Sequence, residues 1–138
     1  MPHRNSILTQ LSLCGVTAAG LLLNSAPAAL AVSDVVSKYD KDSDKTLDLA
    51  EVKAAASVQF DKLNKDSDDT LDAKETKGVI GKKDFKAGDP DNDGTLTKDE
   101  YLAIVERLFN KADVDHEGTL NAKELRSKAG RALKRLID

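Results

Sequence analysis

The sequence predicts an all-α protein: a compact helical bundle carrying four acidic loops, the second paired with the third and the first with the fourth. Three observations lead there. One twelve-residue acidic pattern recurs four times, starting at positions 40, 64, 89 and 113, at intervals of 24, 25 and 24 residues. Apolar residues recur at helical spacing between the first and second copies and again between the third and fourth. Between the second and third copies the pattern is broken by Gly78, Gly81 and Gly88, so the chain can turn back there.

The first element is a leader. His3 and Arg4 precede an apolar run from Leu11 to Leu23, and Ala29-Leu30-Ala31 offers a small-x-small cleavage site, so residues 1–31 read as a secretory signal peptide. Asn24, Ser25 and Pro27 interrupt the run before it reaches the length of a membrane span. Cleavage leaves residues 32–138, about 107 residues and one domain's worth of chain, with no membrane attachment expected. Cys14 departs with the leader, and the mature chain then has no disulfide, thiolate metal site or cysteine nucleophile. The compartment expected is the periplasm. Of the 138 residues, 33% are charged and 4% aromatic, with no Trp, which is too little bulk for a large dry interior. Something bound is expected to assist the fold. The net charge of −3, all of its acids in the mature part, argues against nucleic acid as a partner.

A short helix over 33–39 is expected to open the mature chain and lead into the first acidic segment, DKDSDKTLDLAE from Asp40. NKDSDDTLDAKE follows from Asn64, DPDNDGTLTKDE from Asp89 and DVDHEGTLNAKE from Asp113. Each fits the EF-hand loop, in which oxygens at positions 1, 3, 5, 7, 9 and 12 surround a hard cation and Glu at position 12 reaches back with two oxygens. The candidate metal ligands of the first loop are Asp40, Asp42, Asp44, the carbonyl of Thr46, Asp48 and Glu51. Those of the second are Asn64, Asp66, Asp68, Thr70, Asp72 and Glu75. The third offers Asp89, Asp91, Asp93, Thr95, Thr97 and Glu100, and the fourth Asp113, Asp115, Glu117, Thr119, Asn121 and Glu124. Seventeen of the chain's 24 acidic residues fall at these positions, a concentration that a merely solvated acidic repeat has no reason to show. Position 8 is Leu in all four (Leu47, Leu71, Leu96, Leu120), as expected if loops pair back to back through short strands that bury an apolar side chain.

Individual loops depart from the rule. Position 6, where the backbone turns with positive φ, is Gly94 and Gly118 in the later loops but Lys45 and Asp69 in the earlier ones. Asn64 replaces a charged ligand with a neutral one, and Glu117 is one methylene longer than Asp. The second and fourth loops are therefore weaker candidates than the third. His116, at position 4, reads as a surface residue, and Pro90 stiffens the third loop.

Val52, Ala55, Ala56, Phe60 and Leu63 place a helix over 49–63, and Tyr101, Leu102, Val105, Leu108, Phe109 and Ala112 place one over 97–112. About fourteen helical residues span roughly 21 Å, so loops joined by such a helix sit at opposite ends and cannot pair with each other. That leaves loop two to meet loop three, and loop one to meet loop four. A last helix over 122–137, interrupted near Gly130, closes the chain.

The four loops, their 12–13-residue separations, LDAKETKG after the second, DPDNDGTLTKDEYL around the third and the closing AKELRSKAG resemble the lanmodulin family of periplasmic lanthanide-binding EF-hand proteins. The resemblance implies strong preference for lanthanide(III) ions of the La, Ce and Nd class over Ca²⁺, metal-coupled folding, and a place in lanthanide uptake or buffering, with no enzymatic activity. Family loops often carry Pro at position 2 and an acid at position 9. Here only the third has Pro, and only the first two have Asp at position 9. The alternative is a calcium-binding EF-hand protein, buffer or sensor, without lanthanide specialisation. An enzyme is disfavoured because the carboxylates are committed as ligands and neither His3 nor His116 has a nucleophile beside it. A monomer or weak homodimer is expected, and no delivery partner is legible.

Overall fold

The computed structural model describes residues 28–138, so the bulk of the leader lies outside the described residues. Five α-helices and four very short strands follow in order: α1 (Ala28–Tyr39), β1 (Leu47–Asp48), α2 (Leu49–Leu63), β2 (Thr70–Asp72), α3 (Lys82–Gly88), β3 (Thr95–Thr97), α4 (Lys98–Ala112), β4 (Thr119–Leu120) and α5 (Lys128–Lys134). A single 3-10 turn, Glu124–Arg126, precedes α5. No described helix is long and apolar enough to cross a membrane.

α2 and α4 are the frame. Each is 15 residues long and begins with a capping box, in which the side chain of Asp48 or Thr97 accepts from the amide of Glu51 or Glu100, whose own carboxylate accepts in return from the cap amide. Each ends on the first residue of the next acidic segment, with Asn64 and Asp113 donating their amides to Phe60 and Phe109 at 2.9 Å. The two helices, and the segments at their ends, are offset by 49 residues in sequence. They pack face to face through Val52, Ala56, Phe60, Tyr101, Val105 and Leu108, all buried, with Phe60 and Tyr101 edge-to-face at 5.6 Å between centroids.

The strands sit at the two ends of this pair. β1 runs antiparallel to β4, with Leu47 opposite Leu120, and β2 antiparallel to β3, with Leu71 opposite Leu96. All four leucines are 0% exposed, so each strand pair is a plug on the core. α5 covers α4 through Leu133 and its flanking residues Leu136 and Ile137, and the Tyr101 hydroxyl donates to the Leu136 carbonyl at 2.8 Å. α1 packs Val35 and Val36 inward, and Lys38 and Tyr39 both bond the Asp138 side chain.

The helix expected over 33–39 is present within α1, which is described from Ala28. Two expectations need correction. The closing helix is interrupted at Ser127, not near Gly130. Ser127 is extended, with φ −61 and ψ 168, and caps α5 by accepting from the Gly130 amide at 2.9 Å. Gly130 is instead a point of close approach, where a Cβ would lie 2.3 Å from the Glu124 carbonyl oxygen. Gly88, read as a break, is the last residue of α3, and a Cβ there would meet Ile104 of α4 at 2.3 Å. It sets how closely the two helices pack.

Candidate metal centres

Each acidic segment is a tight loop whose backbone is bent by two left-handed residues. Ser43, Ser67, Asn92 and His116 at position 4 have φ between 56 and 63°, and Lys45 and Asp69 at position 6 have φ of 70 and 67° where the later loops have Gly94 and Gly118 at 86 and 83°. The left-handed turn at position 6 thus persists without glycine, at about 1 kcal/mol or more for each non-glycine residue. This curvature turns the odd-numbered side chains inward.

Three groups of carboxylates converge within 4.8 Å: Asp40, Asp42 and Glu51; Asp89, Asp91 and Glu100; Asp113, Asp115 and Glu124. These are positions 1, 3 and 12 of the first, third and fourth segments. The second segment has only Asp66 and Glu75 there, because position 1 is Asn64. Yet Asn64 Oδ1 is buried with no hydrogen-bond partner, the one such side-chain atom among the described residues. An orphan acceptor at the place where the other three have a carboxylate is the chemistry a cation would satisfy.

Glu at position 12 is held in place from two sides. One oxygen accepts from the position 9 amide, that of Asp48, Asp72, Thr97 or Asn121, at 2.8–3.2 Å. The other accepts from the position 2 amide: Lys41 at 2.6 Å, Lys65 at 2.8 Å and Val114 at 3.0 Å. Pro90 has no N–H, so Glu100 lacks this second tether and instead receives the Thr97 hydroxyl at 2.8 Å. Sequence reasoning missed the double clamp, though proline at position 2 was the signal for its loss in the third loop.

Positions 5 and 9 are also tied into the loop backbone. Asp44, Asp68 and Asp93 each accept from the amide and hydroxyl of the threonine two residues on, at 2.7–3.0 Å. Glu117 makes no such turn. Asp48, Asp72 and Asn121 accept from the position 12 amide at 2.7–3.2 Å, so position 9 acts as a cap. At position 7, Thr46 directly precedes β1, and Thr70, Thr95 and Thr119 are the first residues of β2, β3 and β4. His116 is exposed.

The electrostatics follow from crowding. A hydrogen bond shared with the Asp89 carboxylate raises Asp91 above the usual carboxylate range, with desolvation adding to it. The Thr95 amide, then its hydroxyl, hold Asp93 below that range. Glu51, Asp89, Asp113 and Glu124 are between 6 and 8% exposed. No lysine or arginine pairs with them: the four ion pairs, Lys38–Asp138, Lys53–Glu106, Lys98–Asp61 and Arg107–Asp84, lie elsewhere among the described residues. Buried carboxylates without a counter-charge call for a cation.

The EF hand family model matches two stretches of the chain, residues 83–105 and 104–127. These contain the third and fourth acidic segments with the helix α4 between them. The region is thus EF-hand in type, a repeated metal-binding motif, and its acidic groups could hold a metal ion. Among curated proteins, none matches the chain.

Proposed function

We propose that the protein is a periplasmic EF-hand protein, exported by a leader over residues 1–31, that binds lanthanide(III) ions at all four loops and folds fully only with metal. It is a non-enzymatic carrier or buffer in lanthanide uptake. The observation that carries this reading is the set of buried, uncompensated carboxylates at positions 1 and 12, Glu51, Asp89, Asp113 and Glu124. An ion near Ca²⁺ in radius but with charge +3 gains half as much again from each of them. The four loops at 24–25-residue intervals, and the resemblance to the lanmodulin family, point the same way. Positive φ at Lys45 and Asp69 adds strain to the empty first and second loops, which the more strongly held ion repays better.

A calcium-binding reading has its own support. The loops that the family model covers have glycine at position 6 and a neutral Thr97 or Asn121 at position 9, the features of an ordinary calcium site. A chelator-buffered titration of residues 32–138 with La³⁺ and separately with Ca²⁺, followed by circular dichroism, separates the two. The lanthanide reading expects ordering at free La³⁺ many decades below the Ca²⁺ midpoint; midpoints that differ only as charge alone dictates support the calcium reading. Replacing Asp48 and Asp72 by Asn keeps both caps and removes two charges, and is expected to narrow the gap. An unchanged ratio removes position 9 from the explanation.

A further inference from the structure

The stretch from Lys74 to Lys86 is a basic segment in an acidic chain, and beyond Glu75 it lies outside the metal loops. It carries Lys74, Lys77, Lys82, Lys83 and Lys86 against Glu75 and Asp84. Both acids are engaged: Glu75 accepts from the Lys65 and Asp72 amides, and Asp84 is 3.6 Å from Arg107. None of the five lysine ammonium groups is in an ion pair among the described residues. Beside them lies a cavity of about 370 Å³ lined by Ala73, Thr76, Gly78, Ile80 and Phe85, with Lys77 and Lys82 at its wall. Lys82, Phe85 and Lys86 are spaced i, i+3 and i+4 on α3, so the charges and the aromatic ring share a face. Lys74 and Lys77 are joined by a turn, the Lys77 amide donating to the Lys74 carbonyl at 3.3 Å.

We propose that this groove docks an acidic peptide segment of a partner protein, one apolar side chain entering the cavity while flanking carboxylates meet the lysines around it. An apolar hollow alone would take many occupants; flanked by Lys77 and Lys82, which have no ion-pair partner among the described residues, it selects an anion with an apolar anchor. Lysines on both sides of the cavity suit an extended chain of charges better than a single small carboxylate. A nucleic acid strand would run onto the acidic segments that begin at Asn64 and Asp89 on either side, and half-buried Phe85 is the one aromatic ring among the described residues lining the cavity. A membrane surface fits a concave site poorly. The proposal is independent of which metal fills the loops.

The test uses residues 32–138 saturated with Ca²⁺ and a fluorescein-labelled peptide with a central leucine flanked by three glutamates on each side, read by anisotropy. Saturable binding is expected, weakened about tenfold or more by the double variant Lys77→Glu, Lys82→Glu, because two attractive charges become repulsive. Changing the peptide's leucine to serine, which leaves the protein untouched, is expected to weaken binding similarly. No saturable binding, equal binding of the serine peptide, or tighter binding of oligouridylate or phosphatidylglycerol vesicles than of the leucine peptide would overturn the proposal.

Discussion

Single side chains in this protein do opposite things to the empty and the filled molecule. Asp113 and Glu124 are 6 and 7% exposed and share one carboxylate cluster, so their charges repel until a cation sits between them. Replacing Asp113 with Asn is expected to raise the urea midpoint of the metal-free protein and lower metal affinity at the fourth loop, two changes of opposite sign measurable on one preparation. Lys45→Gly removes the strain of a positive φ at 70° and is expected to stabilise the metal-free chain by about 1 kcal/mol in the same urea titration. No loss of affinity should accompany it. Most of the carboxylate positions were legible from the acidic spacing, since alternate residues of a tight loop must face inward. The double tether on position 12 was not legible, because it is made by backbone amides whose direction no side-chain pattern records.

At the scale of elements, the two long helices could be read from their apolar stripes, which the structure buries almost residue for residue. Ile104, 0% exposed, lies on the same buried face of α4 and meets Gly88 of α3. The C-terminal part of the chain was less readable. The break before α5 depends on Glu124 and Leu125 needing the space that Gly130 leaves. Gly130→Ala should therefore destabilise the protein by about 1–3 kcal/mol, as overpacking does, read as a lower urea midpoint at unchanged slope. Tyr101→Phe removes the buried bond to the Leu136 carbonyl and is expected to cost about 1 kcal/mol without altering metal stoichiometry. Burial places the Tyr101 hydroxyl well above the usual phenol range, so it stays a donor throughout the working pH range.

For the molecule as a whole, α1 is attached to the rest through Val35, Val36 and the side chain of Asp138. The Lys38 bond, with the Tyr39 hydroxyl assisting, holds Asp138 below the usual carboxylate range. A depressed folded value means that this contribution is complete above the unfolded carboxylate pKa of about 4 and is lost as pH falls through the lower, folded value. Amide protection in α1, taken relative to the intrinsic exchange rate at each pH, is thus expected to fall on acidification into that window, and the Asp138→Asn variant should lack that component. Stripping metal with a chelator is expected to act on the opposite feature, loosening the loop ends first, where the repulsion is concentrated. The 49-residue offset between α2 and α4 carries a last consequence. A shift of 49 residues carries α2 onto α4 and the pairing of β1 with β4 onto that of β3 with β2. Lys45 in one half answers to Gly94 in the other, Asn64 to Asp113, and Lys41 to Pro90. Each departure thus has its own internal control, and the same substitution made at both members of such a pair separates what the residue does from what its half does.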